Sequence, residues 1–163
     1  MFERFGDLPL HVLVIHAAVV LLPAAALAAI VFAVVPKWRW LLRWPVLLLG
    51  LGSLAVAFAA RQSGKAFVSA KPELGQLVRE HENRGDLLFY YSIAFAVICI
   101  LAFLLLTGPT ALASGRGAKT GTMRPLELVV SGALVVMSVL IVWQTVRTGD
   151  SGARAVWGGI LPE

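Results

Sequence analysis

Three imidazoles carry the chemical interest of this chain. His11 and His16 lie inside the apolar run "LPLHVLVIHAAVVLLP", and His81 lies in "REHENRGDLL". Imidazole is an axial ligand of haem iron and suits Zn, Fe and Cu equally well. An ionisable side chain within an apolar helix is costly and usually faces a bundle interior or a cavity. His16, two turns into its run with apolar neighbours on both sides, is the hardest to explain as a surface residue. His11 precedes it by five positions, about 140° around a regular helix at roughly 100° per residue, so the two should not reach one metal centre. His16 and His81 are therefore the expected axial pair of a haem b, with His11 in reserve. The sequence has no Cys-x-x-Cys-His attachment motif, so such a haem would be held non-covalently. Arg147 and Arg154, in "RTGDSGARAVW", are the cations expected to meet its propionates or another anionic group, and Phe89, Tyr90 and Tyr91 lie near the same level.

Two other readings compete. A mononuclear Zn, Fe or Cu site would draw on His11, His16 and His81 with Asp150, Glu80 or Glu82, although neither "HVLVIH" nor "HENRGD" has the His-Glu-x-x-His spacing of a zinc protease. Alternatively the chain is a non-catalytic scaffold subunit of a membrane complex, its histidines merely hydrogen-bonded near the headgroups. In "VLLLGLGSLAVAFAA", Gly50, Gly52, Ser53, Ala55, Ala57 and Ala60 permit close helix contact within the fold or across a homo-oligomer. An enzyme is the less expected outcome: the sequence contains no phosphate-binding loop, nucleophile elbow or paired intramembrane carboxylates, and Glu127 is a lone acid at a helix start.

The elements that must position these residues are membrane spans. Of the 163 residues 59% are hydrophobic and 14% charged, with mean hydropathy +0.85, against about 45–50% and 25% in a soluble domain. Four apolar runs, about 9–35, 40–60, 87–107 and 126–146, each suffice for a hydrocarbon core that needs roughly 20 helical residues. The fold expected is an all-α four-helix bundle in one transmembrane domain. The first run is expected to be a retained helix, because "MFERFGD" is not a basic n-region and the apolar stretch is too long for a secretory signal. Pro36, Pro45, Pro109 and Pro125 mark helix ends, whereas Pro23 sits within the first span and bends it. The net charge of +5 belongs to loops flanking the spans and not to a nucleic-acid surface, since no stacking platform accompanies it.

Between the second and third spans, "KPELGQLVREHEN" predicts a short amphipathic interfacial helix over about 72–83, with Pro72 in its first turn and Gly85 bending the chain into the next span. Leu74, Leu77, Val78 and His81 share its apolar face. Four spans gather all three histidines and the segment after span four on one side of the membrane. Lys37, Arg39, Arg43, Arg116, Lys119 and Arg124 crowd the two short loops on the other side, which favours cytoplasmic short loops and exoplasmic termini. Trp38, Trp40 and Trp44 form an aromatic belt there. A duplication is suggested by "SGKAF" after span two and "SGARAVW" after span four, which would relate two hairpins by an axis along the membrane normal.

Together "LPLHVLVIHAAVVLLP", "REHENRGDLL" and "GDSGARAVW" resemble the bacterial four-helix membrane proteins grouped as domain of unknown function 2231. The resemblance covers nearly the whole chain. It implies a small domain of the bacterial cytoplasmic membrane, in some relatives placed beside redox modules such as Rieske domains, and hence a redox partner or membrane complex beside the lipid bilayer. It implies no settled activity. Many relatives have "GHSGA" where this chain has Asp150, which leaves a scheme with a fourth imidazole without its residue here.

Overall fold

The computed structural model describes residues 4–5, 8–106 and 125–158. Pro109 and the loop cations Arg116, Lys119 and Arg124 lie outside the described residues, as does the end of the third expected span. The described residues form four long helices: α1 (Leu10–Val34), α2 (Arg39–Ala70), α3 (Gly75–Leu105) and α4 (Pro125–Trp157). A two-residue antiparallel pairing of Arg4–Phe5 with Leu8–Pro9 precedes α1. All four helices are long and apolar enough to cross a membrane. In the bundle α1 packs on α2 and α4, and α3 packs on the same two neighbours.

The tight connections follow from proline stereochemistry. A residue before proline is driven out of the α region, and proline itself is preset for the first helical turn. Val35 (φ −119°, ψ 81°) therefore ends α1 and Pro36 opens a single 3-10 turn leading into α2. Lys71 (φ −137°, ψ 72°) and Pro72 repeat this solution between α2 and α3. The expected interfacial helix is not a separate element. Only Pro72–Leu74 form a 3-10 turn, and the remaining residues are the opening turns of α3, which continues unbroken through Gly85. Gly85 has no side chain to obstruct a straight helix and backbone hydrogen bonding persists through it. Pro45 likewise lies within α2 and not at its end; the carbonyl that loses its helical donor is that of Leu41, four residues back, and Leu41 is exposed. Pro23 is inside α1 as expected.

At about 1.5 Å per residue the 32 residues of α2 span roughly 48 Å, well beyond a hydrocarbon core of about 30 Å. The surplus lies on the histidine side. Trp143 (50% exposed) and Tyr90 (57% exposed) stand at a second aromatic level there, opposite the exposed Trp38, Trp40 and Trp44. Beyond that level α2, α3 and α4 continue as a helical cuff around the start of α1.

The core registers reveal the duplication. Ala18, Leu22, Ala25, Ala26, Ala29 and Phe32 are buried in α1. Leu88, Ser92, Phe95, Ala96, Cys99 and Ala102 are buried in α3, each 70 positions on (88 against 18). In the second helices Val46, Gly50, Ser53, Ala57 and Ser63 match Leu134, Ser138, Ile141, Thr145 and Ser151, each 88 positions on (134 against 46). Interchanging the hairpins α1–α2 and α3–α4 therefore reproduces both the helix neighbours and the buried faces. Small residues dominate these faces, as close packing in lipid favours.

At the short-loop end two arginines of α2 hold the bundle. The C-terminal carbonyls of a helix lack intrahelical donors. Arg39, 2% exposed, donates to Phe32 O (3.2 Å), Ala33 O (3.1 Å) and Ser131 Oγ (3.3 Å), with Glu127 3.9 Å away. Arg43 donates to Phe103 O of α3 (3.0 Å) and lies over the Phe103 ring. Phe103 is the 70-position counterpart of Ala33 (103 against 33), so α2 caps both odd-numbered helices at the same level.

Candidate functional site

The extended ends of the helices line a partly open cavity of about 460 Å³, contributed by all four and apolar over most of its wall, a volume within the usual range for small-molecule and cofactor sites. Its deeper wall includes Leu22, Ala57 and Leu88, and its polar groups include His11, His81, Arg61, Lys65 and Asp86. The two imidazoles meet edge to face, with ring centroids 6.0 Å apart and planes at 76°. His11 comes from the first turn of α1 and His81 from the second turn of α3, 70 positions on (81 against 11).

Each ring is tied to the second helix of its own hairpin. His11 Nδ1 is 3.1 Å from Ala60 O and 3.1 Å from Ser63 Oγ. His81 Nδ1 is 2.9 Å from Thr148 O and 3.4 Å from Ser151 Oγ. Ala60 and Ser63 are the 88-position counterparts of Thr148 and Ser151 (148 against 60). A carbonyl oxygen can only accept, so Nδ1 carries the proton in both rings. The Ser63 hydroxyl donates to Ala60 O (3.1 Å) and that of Ser151 to Thr148 O (2.8 Å), leaving each Oγ free to accept from the ring. Among the described residues neither Nε2 has a hydrogen-bond partner. In a neutral imidazole with Nδ1–H, Nε2 is the lone-pair nitrogen, the form in which histidine binds a metal.

A bidentate ion pair crosses the site from α2 to α3: Arg61 donates to Asp86 at 2.7 and 3.3 Å. The Arg61 guanidinium also lies over the Phe89 ring. On the α4 side Gln144 Nε2 donates to Arg84 O (2.9 Å), Thr148 Oγ1 lies 3.2 Å from the same carbonyl, and Arg84 donates to Arg147 O (2.9 Å). These bonds hold α3 against α4 where Thr148 receives His81.

The expected histidine pair is not the one brought together. His16 is exposed on the outer face of α1, its Nδ1 bonded to Val12 O one turn back (2.6 Å). Burial on α1 follows Ala18, Leu22, Ala25 and Ala29; at roughly 100° per residue His16 is about 160° around the helix from Ala18 and off that stripe, whereas His11 is within about 20° of it. His81 faces inward as expected, with Val78, while Leu77 is 59% exposed. Arg147 stacks on Trp143 and lies outside the cavity wall. Arg154 and Asp150 pair with each other on the exposed face of α4 (3.0 Å). Glu80 is bonded to Arg84, and Glu82 lines the cavity. Tyr90 is exposed, and Tyr91 packs against the core. Among the described residues no three His, Cys, Asp or Glu side chains converge as a metal cage, so the Zn, Fe or Cu site built from His11, His16, His81 and Asp150 is not assembled.

Arg61, Lys65 and Asp86 escaped the sequence reading. The signal available was the repeated Ser-Gly: the segment "ARQSG" sets Arg61 two residues before Ser63 and directly after Ala60, whose carbonyl receives His11. No curated protein and no solved structure matches this chain significantly. Residues 7–160 match the family described as predicted membrane protein DUF2231, a span that takes in all four helices and both halves of the histidine site, and the chain belongs to that family.

Proposed function

We propose that this membrane protein holds a haem b between His11 and His81 and serves as an electron-transfer protein. The observation that carries the reading is the pair of imidazoles anchored through Nδ1 with their ring centroids 6.0 Å apart. With Nδ1 of each ring hydrogen-bonded, the Nε2 atoms of His11 and His81 would supply the two imidazole nitrogens that a haem iron accepts, whereas a mononuclear cage would need at least a third protein ligand. The apolar cavity wall suits a macrocycle, and Lys65 supplies positive charge for its carboxylates, Arg61 being paired with Asp86. Lys65 takes the part that the sequence suggested for Arg147 and Arg154.

Bound there, the haem would supply a one-electron ferric–ferrous couple, accepting an electron from a reduced partner and returning it to an oxidised one. The protein's part is to fix both ligands, exclude water from the inner wall and set the charge around the iron. The surroundings proposed are the bacterial cytoplasmic membrane, with the histidine end exoplasmic and the redox partner docking at that face.

Protein produced with ample haem supply and purified in detergent should show a Soret band and the sharp visible bands of a six-coordinate low-spin iron. His11→Ala and His81→Ala should each abolish the low-spin spectrum. Folded protein without Soret absorption would overturn the reading.

A further inference from the structure

The two halves of the site share more than their histidines. In each, the glycine after the serine lies directly beneath the ring. A Cβ on Gly64 would sit 3.2 Å from His11 Cε1, and a Cβ on Gly152 would sit 3.0 Å from both Cε1 and Nδ1 of His81. Both distances are tighter than an ordinary van der Waals contact, so any side chain there would displace the ring. Each half thus contains a carbonyl that accepts from Nδ1–H, a serine one helical turn later whose oxygen accepts as well, and a glycine that lets the imidazole lie against the helix backbone.

We infer that Ser63–Gly64 and Ser151–Gly152 are a duplicated positioning device, one copy per hairpin, that locks both imidazoles as Nδ1–H tautomers and fixes the direction of each Nε2. They are positioning residues: they act through His11 and His81 and need touch no ligand themselves. The Ser-Gly dipeptide is required as a unit because the serine oxygen and the absent glycine Cβ address the same ring edge, Nδ1 and Cε1. The carbonyls lie three residues before each serine, so the acceptors share one rigid helical turn and cannot reorient independently. Duplication gives this device its meaning, since each hairpin supplies the same carbonyl, serine and glycine to its own ring. For its purpose the assignment rests on the imidazole-ligand reading above, whereas the tautomers themselves are measurable with no ligand at all.

The test is nitrogen NMR of protein labelled with ¹⁵N-histidine, in nanodiscs, at mildly alkaline pH and without added haem. His16→Gln removes the third ring and identifies its signals. Long-range proton–nitrogen correlations are expected to show both His11 and His81 protonated at Nδ1. Gly64→Ala should shift the His11 ring signals and leave those of His81, with Gly152→Ala doing the converse. In haem-loaded protein each glycine variant should also change the low-spin electron paramagnetic resonance signal, while Ser63→Ala and Ser151→Ala give smaller changes of the same kind. An Nε2–H tautomer in either ring of the unaltered protein would overturn the device, as would folded glycine variants that leave the facing ring unmoved. Since the unaltered protein decides the tautomer, a glycine variant that fails to fold does not remove the test. Nδ1–H tautomers together with absent Soret absorption would uphold the positioning and discard the haem.

Discussion

His11 and His81 stand edge to face across the bundle, 6.0 Å between ring centroids, although 70 residues separate them in the chain (81 against 11). Each is bonded to the helix that follows its own, so the pair is supported by both hairpins and by neither alone. The relationship reverses the ranking of the two histidines on α1. His16→Ala is expected to leave haem content and spectrum unchanged, because that ring is exposed and bonded only within its own helix. His11→Ala is expected to abolish low-spin ligation. Spectra of the two variants purified in parallel separate the pairs, and loss on His16→Ala with retention on His11→Ala would restore the alternative.

Orientation is tested independently of any cofactor. Cys99 is buried and is the sequence's one cysteine, so the unaltered protein should be silent to a membrane-impermeant thiol reagent. Lys37→Cys and Ser69→Cys report opposite ends of α2. In intact cells Ser69→Cys should label from outside and Lys37→Cys only after permeabilisation. The reverse pattern would place the histidine end in the cytoplasm without altering the fold.

The four helices were legible because lipid demands long apolar runs and permits little else, and "VP" and "KP" marked two reversals through the restriction that proline imposes on its predecessor. The separate interfacial helix was not legible: Leu74, Val78 and His81 have the right spacing for one, but the same spacing serves the inward face of a longer helix that outlasts the membrane. The preference for His16 failed for a related reason. Apolar neighbours on both sides indicate depth along a helix, not direction around it, and every side of α1 is apolar. The buried stripe through Ala18 and Leu22 is set by small residues meeting α2 and α4, information that resides in the partners. The repeated Ser-Gly was visible in the sequence, while its alignment with a histidine on the preceding helix needed three dimensions.

Arg39 supplies a stability prediction at the opposite end. Its guanidinium joins the C-terminus of α1 to Ser131 of α4, with Glu127 nearby, while almost entirely buried. Arg39→Ala removes charge-assisted hydrogen bonds worth about 1.5–3 kcal/mol each in protein settings and strands the carbonyls they served. Because the Glu127 contact is long at 3.9 Å, Glu127→Gln should cost much less than Arg39→Ala. Thermal unfolding in detergent, followed by circular dichroism, checks the order. Equal losses would mean that the ion pair, and not the capping of α1, holds this end.

Gly50 of α2 lies tightly against Cys99 of α3 in the core. A Cβ on Gly50 would lie 2.8 Å from Cys99 Sγ and 2.9 Å from Cys99 Cβ, and Cys99 is fully buried. The sulfur could rotate away, but the Cβ cannot move without shifting α3, so Gly50→Ala should destabilise the bundle by about 1–3 kcal/mol, the usual cost of overpacking. Cys99→Ala alone removes the sulfur and should cost less. If the sulfur is the main obstacle, the double variant Gly50→Ala/Cys99→Ala will be more stable than Gly50→Ala alone. If the Cβ is the main obstacle, only Cys99→Gly will relieve the strain, because it alone clears both atoms. A Gly50→Ala protein as stable as the unaltered one would show that α2 and α3 do not approach so closely at this level.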